Sequence, residues 1–145
     1  MNSTRRTFLQ KVSTLTLSSM PLMSFLAGCS ATGLTTYRAI SDEQIVRISV
    51  FDYPEFQLPD GALQLDVESF ASPIVVIRTS ENSFVALSPV CTHLGCTVRK
   101  DGTFFRCPCH GSTYELSGAV VRGPAEKSLR TFKTEYDGKT LVIYL

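Results

Sequence analysis

The feature that most constrains this chain is a window of twenty residues, Cys91 to His110, into which most of its thiol and all of its imidazole side chains are crowded. Four of the five cysteines and both histidines lie there. They form two short runs, Cys91-Thr92-His93-Leu94-Gly95-Cys96 and Cys107-Pro108-Cys109-His110-Gly111-Ser112. Residues 97–106 join the runs and carry an Asp101-Gly102 turn signal, so the two runs read as loops brought together by a β-hairpin. Facing loops that each offer thiol and imidazole groups make a two-sided clamp for a metal. Two Cys and two His also suit a tetrahedral zinc site, and a Cys near a His suits a thiol nucleophile.

The remainder reads as short strands. Residues 45–50 and 63–67 alternate apolar and polar, as half-buried strands do. Residues 74–77 form a continuous apolar run after Pro73, and 84–87 follow a Glu81-Asn82-Ser83 turn. Residues 130–136 and 139–145 flank Asp137-Gly138, a strong hairpin signal because both residues tolerate positive φ. No window beyond residue 40 sustains a helical period over three turns, and no internal repeat or low-complexity tract is present. The pattern predicts an all-β, antiparallel sandwich or partly open barrel, with a small metal-binding subdomain. With 145 residues there is room for one core-bearing domain. Without its first 28 residues the chain has 11 basic and 13 acidic residues, which excludes a strongly basic nucleic-acid surface and predicts no nucleic-acid partner.

The two Cys/His runs resemble the two boxes of the Rieske family of [2Fe–2S] proteins. The resemblance is strongest over residues 90–129 and implies a Rieske-type fold. It implies that Cys91 and Cys107 bind one iron as thiolates and that His93 and His110 bind the other. It further implies a disulfide between Cys96 and Cys109, as in the quinol-oxidising branch, and sets Ser112 and Tyr114 where the family places hydroxyls that hydrogen-bond a sulfide and a ligand thiolate. Gly123-Pro124-Ala125 is similar to the third, covering loop, and Leu94 would leave an apolar tip beside His93. Thirteen residues separate His93 from Cys107, fewer than is usual in the respiratory and photosynthetic subunits, and the shortfall is expected at the hairpin tip. The zinc and nucleophile readings leave the second Cys pair and the hydroxyls unexplained.

The N-terminus reads as an address. Arg5-Arg6 before Phe8-Leu9, then an apolar run over 12–27, resemble a twin-arginine export signal. Leu26-Ala27-Gly28-Cys29 looks like a bacterial lipobox, which makes Cys29 the expected lipidation site; the rival is an uncleaved anchor, for which sixteen residues including Pro21 are short. The expected division is a signal over 1–28, a polar tether over 29–41 and a Rieske domain over 42–145. The whole implies an exported bacterial protein anchored to the membrane on its periplasmic side. The expected function is high-potential electron transfer, as the iron–sulfur subunit of a quinol–cytochrome c reductase partnered by a cytochrome b-type subunit and a c-type cytochrome. The competing expectations are a lipid-tethered carrier acting alone, or the small subunit of another oxidoreductase such as an arsenite oxidase. A cytoplasmic ferredoxin fits less well, because such relatives generally lack the disulfide pair.

Overall fold

The computed structural model describes residues 31–68 and 70–145. The export motif, the apolar run and Cys29 lie outside the described residues. Among the described residues twelve strands form two sheets: β1 (Thr36–Ala39), β2 (Ser41–Asp42), β3 (Ile45–Ser49), β4 (Ala62–Val67), β5 (Ile74–Ser80), β6 (Ser83–Leu87), β7 (Arg99–Asp101), β8 (Phe104–Arg106), β9 (Thr113–Glu115), β10 (Val120–Arg122), β11 (Thr131–Tyr136) and β12 (Thr140–Tyr144). The larger sheet runs β1-β4-β5-β6-β11-β12-β3-β2 and the smaller β10-β9-β8-β7. The outermost strands of the larger sheet, β1 and β2, are separated in the chain only by Ile40, so the sheet curls almost to a closed barrel. The only helical elements among the described residues are two 3-10 turns, Val50–Asp52 and Pro54–Gln57.

The apolar run of β5 is continuous because both of its faces are covered. Successive strand residues point to opposite faces. Ile74 and Val76 enter one core with Leu63, Leu65, Phe84 and Ala86, inside the barrel. Val75 and Ile77 enter a second core on the barrel's outer face, with Leu87, Val98, Phe105 and Tyr114. Cys91 and Cys107 belong to that second core and are buried. β6 and β11 pair at Leu87 and Thr131, so residues 88–130 leave and re-enter the barrel at a single paired position. The Ser88 N–H donates to the Arg130 carbonyl at 2.8 Å and closes that junction. The small sheet and all the Cys/His chemistry sit in this insertion.

The expected hairpin at Asp137-Gly138 is present between β11 and β12. Gly138 takes φ +94°, and the Asp137 carboxylate accepts the N–H groups of Lys139 and Thr140 at 2.9 and 2.6 Å. Those backbone donors, Thr140 first, hold the Asp137 carboxyl below its ordinary range. Two expectations need correction. The strand expected over 45–50 ends at Ser49, where Val50 begins a 3-10 turn. The described part of the segment expected to be a tether, 29–41, is built into the sheet: β1 pairs in parallel with β4, an exception to the antiparallel pattern, and β2 pairs with β3. The reason is a series of specific bonds that a polar composition does not advertise. Thr32 Oγ1 donates to Gln64 Oε1 at 2.8 Å, the Tyr37 hydroxyl donates to the Glu55 carboxylate at 3.0 Å, and Ala39 is buried in the barrel core.

Gly61 illustrates how tightly the barrel closes at β4. A Cβ there would lie 1.8 Å from the backbone oxygen of Glu55. Gly61→Ala is therefore expected to cost about 1–3 kcal/mol, the range for overpacking a rigid site. A shift of the urea midpoint with unchanged slope reads this out; an unchanged midpoint would show that the 55–61 turn can move aside freely.

Candidate metal centre

The two ligand loops share one backbone frame. In the first, the Cys91 N–H donates to the Cys96 carbonyl (2.8 Å) and the Gly95 N–H to the Cys91 carbonyl (2.9 Å). In the second, the Cys107 N–H donates to the Ser112 carbonyl (2.8 Å) and the Gly111 N–H to the Cys107 carbonyl (3.0 Å). Gly95 and Gly111 occupy the same place in each frame, with φ +81° and +77°, a conformation that disfavours side chains. The loops thus form a structural repeat that the sequence hides, because their side chains are permuted. His93 stands two residues after its Cys and His110 three. The position of His93 in the first loop is taken by Cys109 in the second, and that of Cys96 by Ser112.

The β7–β8 hairpin sets the loops against each other, and a Cys96–Cys109 disulfide joins them. The sulfurs of Cys96, Cys107 and Cys109 lie within 4.8 Å of one another. That trio is not a ligand set, because two of the three are consumed by the disulfide. The free thiols are Cys91 and Cys107. The rings of His93 and His110 meet edge to face at 4.9 Å between centroids. Nδ1 of His93 is buried with no hydrogen-bond partner, an arrangement that is costly for a polar nitrogen unless something else binds it. Two buried thiols and an orphaned imidazole nitrogen beside a second imidazole are the donors a [2Fe–2S] centre of the mixed Cys/His kind requires. The residues present fit that group.

Tyr114 and Ser112 are both fully buried here. The Tyr114 hydroxyl lies 3.2 Å from both Cys91 Sγ and Thr92 Oγ1 and accepts the Thr92 N–H at 3.2 Å. Burial alone would raise the Cys91 thiol. Hydrogen bonds from Tyr114, the His93 backbone, Cys107 and Ser112 outweigh it and favour the thiolate, so the net shift is downward. Burial, then the neighbouring Cys91, pushes the Tyr114 phenol up and keeps its proton in place. Ser112 Oγ accepts the Ala125 N–H at 3.0 Å, so it both faces the thiols and fastens the Gly123–Ala125 loop. Thr92 was not singled out by sequence reasoning. Its hydroxyl donates to the Lys127 carbonyl at 2.5 Å and ties the first ligand loop to the third. Its place beside a ligand Cys was the only signal.

A surface hollow of about 650 Å³, walled by Phe51, Phe56, Leu58, Arg78, Tyr136 and Gly138, lies at the opposite end of the barrel by the hairpin tips. It contains none of the Cys or His side chains, so the chemistry, not this hollow, identifies the site.

Comparison with known proteins agrees with the geometry. Residues 49–133 match the Rieske [2Fe–2S] domain. The cytochrome b6-f complex iron–sulfur subunit 1 of Nostoc sp. (strain PCC 7120) is 35% identical over 122 residues, covering 81% of this chain and 68% of that protein. The corresponding subunit of Chlorobaculum thiosulfatiphilum is 34% identical over 90 residues, covering 60% of this chain and 48% of that one. The chain thus spans about half the length of that curated relative. Among solved structures, the cyanobacterial plasma membrane Rieske protein of Synechocystis PCC 6803 superposes with a TM-score of 0.52 at 31% identity, over 59% of this chain and 87% of that one. A chain of a hyperthermophilic respiratory Complex III shares the fold over 94% of this chain, with a TM-score of 0.52 at 24% identity. The protein belongs to the Rieske [2Fe–2S] domain family. Its cofactor is a [2Fe–2S] cluster.

The disulfide bridges residues 13 apart and staples the loops from outside the ligand set. The double variant Cys96→Ala/Cys109→Ala is expected to lose about 3 kcal/mol of stability, the value for a loop of about 15 residues. Urea unfolding checks this; a midpoint equal to that of the parent would mean that the hairpin alone fixes the loops.

Proposed function

We propose that this chain carries electrons through its [2Fe–2S] cluster at the extracytoplasmic face of a bacterial membrane, as the iron–sulfur subunit of a quinol–cytochrome c reductase of the cytochrome bc type. The observation that carries this reading is the convergence of the free, buried thiols of Cys91 and Cys107 with the orphaned Nδ1 of His93 beside His110. Cys91 and Cys107 would hold one iron and His93 and His110 the other. When bound, the cluster supplies a one-electron centre whose imidazole ligands, replacing two thiolates, place its potential at about −150 to +300 mV rather than near −400 mV.

The chain's own residues set how that centre is used. The Tyr114 and Ser112 hydroxyls are hydrogen-bond partners of the Cys91 sulfur, and such bonds favour the more electron-rich state. The ring nitrogens of His93 and His110 not given to metal hold protons, and the exposed His110 can present its N–H to a quinol oxygen. Leu94, 69% exposed beside His93, offers an apolar contact to a docking partner. The partners on this reading are a cytochrome b-type quinol-oxidising subunit and a c-type cytochrome. Two cytochrome b6-f iron–sulfur subunits among the relatives support it.

Attachment is assigned to Cys29 as a lipidated mature N-terminus after twin-arginine export. One observation favours a second reading, a carrier tethered alone or within another oxidoreductase. Thr32 is buried and bonded to Gln64 only three residues after Cys29, about 11 Å of fully extended chain.

His93→Ala and His110→Ala are each expected to abolish the Rieske electron-paramagnetic-resonance signal and the quinol:cytochrome c activity of membranes. A surviving signal removes the histidines from the ligand set, and activity that survives loss of the signal transfers the chain to the tethered-carrier reading. Cys29→Ala is expected to move the protein from the membrane fraction to the soluble fraction after a high-salt wash; persistent attachment would assign the anchor to residues 12–27.

A further inference from the structure

The small sheet has two unlike faces. Phe105 and Tyr114 point into the second core. On the other face the register aligns a row of basic residues. Arg99 opposes Arg106, Arg106 opposes Thr113, and Thr113 opposes Arg122. Residues directly opposite one another share a face, so Thr113, Arg106 and Arg99 form a row across β9, β8 and β7, and a bulge in β10 between Val120 and Arg122 brings exposed Arg122 opposite Thr113 to extend it. With strands about 4.8 Å apart, its three guanidinium groups spread over about 15 Å. All three arginines are exposed. Like charges set directly opposite, as Arg99 and Arg106 are, destabilise a sheet, and Asp101 and Glu115, two residues along β7 and β9 on the same face, offset part of the row's charge but not all of it. Asp101 reaches Arg106 Nε at 3.3 Å, but both side chains are over 60% exposed and such a pair is weak.

The charge of the whole molecule follows the same division. Residues 88–130 hold six basic and three acidic residues, a net +3. Residues 31–87 and 131–145 together hold five basic and ten acidic, a net −5. The cluster-bearing insertion is thus the cationic pole and the barrel the anionic one.

The path of the chain then fixes what this pole faces. The Lys100 N–H, one residue from Arg99 on the free edge of β7, donates to the Thr32 carbonyl at 3.1 Å. Thr32 is fully buried, and Leu34 packs on the second core. The chain therefore leaves toward its N-terminus from the edge of the very sheet that carries the row. Cys29, three residues earlier, is within about 11 Å of Thr32.

We infer that the row of Arg99, Arg106 and Arg122 is an anionic-lipid-binding face that seats the cluster-bearing insertion on the membrane surface, while the acidic barrel is repelled from it. The inference rests on the attachment at Cys29 proposed above. The recognised group is the phosphate of an anionic phospholipid in the leaflet that holds the anchor, whose oxygens suit the paired N–H donors of guanidinium. The exposed His110 and Leu94 lie in loops adjoining the same sheet, so the seat also brings the cluster toward membrane-dissolved redox carriers.

The test uses the native, processed protein reconstituted into phosphatidylcholine vesicles with and without phosphatidylglycerol. Phenylglyoxal modifies exposed arginines, and peptide mass spectrometry reports each site. With phosphatidylglycerol, Arg99, Arg106 and Arg122 are expected to react about fivefold more slowly than in phosphatidylcholine alone, the occupancy expected for basic residues at an anionic surface. High salt is expected to erase the difference. Arg38 and Arg47 on the barrel are expected to react at one rate in both. Equal reactivity of the row in the two lipids overturns the inference, as does protection that appears only when an acidic c-type cytochrome is added, which would assign the face to a protein partner. A chain that floats with neither vesicle overturns the Cys29 attachment and the inference with it. The resonance signal of the same samples reports the cluster independently.

Discussion

The structure depends on β5 being buried on both faces. One face fills the barrel and the other is the floor on which the inserted module sits. Without that second core the ligand loops would be two surface turns with no reason to hold an imidazole nitrogen out of water. With it, Cys91, Cys107 and Tyr114 are as buried as any leucine, and the site becomes a continuation of the hydrophobic packing. The low effective dielectric of such a place strengthens each hydrogen bond to a sulfur and raises the penalty for any donor left unmet. That penalty is what makes the orphaned His93 nitrogen informative.

The three loops are bound into one object by few bonds. The disulfide joins the first to the second, the Thr92 hydroxyl joins the first to the third, and Ser112 joins the second to the third. Two of these connectors are also placed to act on Cys91, Ser112 by its own hydroxyl and Thr92 by way of Tyr114. Rigidity and electronic tuning therefore share the same hydroxyl groups, and a substitution at any of them disturbs both.

Much of this was legible in the chain. Strands β3 to β6, β11 and β12 declare themselves by alternation, by β-branched residues and by the Asp137-Gly138 turn. The ligand boxes stand out by composition, yet the pairing of Cys96 with Cys109 came from family resemblance, since their spacing alone allows other partners. Strand β1 was hidden because Thr36, Tyr37 and Arg38 show little apolar pattern; it is held by side-chain bonds and by a parallel pairing to a strand far along the chain. Strands β7 to β10 are three residues each, too short for periodicity to register, and are shaped by the loops they carry. The common frame of the two loops was invisible for another reason: it resides in backbone hydrogen bonds, while the side chains that sequence reading follows are permuted along it.

The single junction at Leu87 and Thr131 has a consequence for how such a chain can change over time. No hydrogen-bonded ladder connects the two sheets, so a slip or substitution in the barrel need not propagate into the geometry of the ligand loops. The barrel can drift in sequence, length and surface charge to suit a new neighbour while the metal site stays intact, and the reverse holds as well. The two parts touch through packing and a few isolated hydrogen bonds, which ask for little beyond matching volume, and inheritance can treat them as separate pieces.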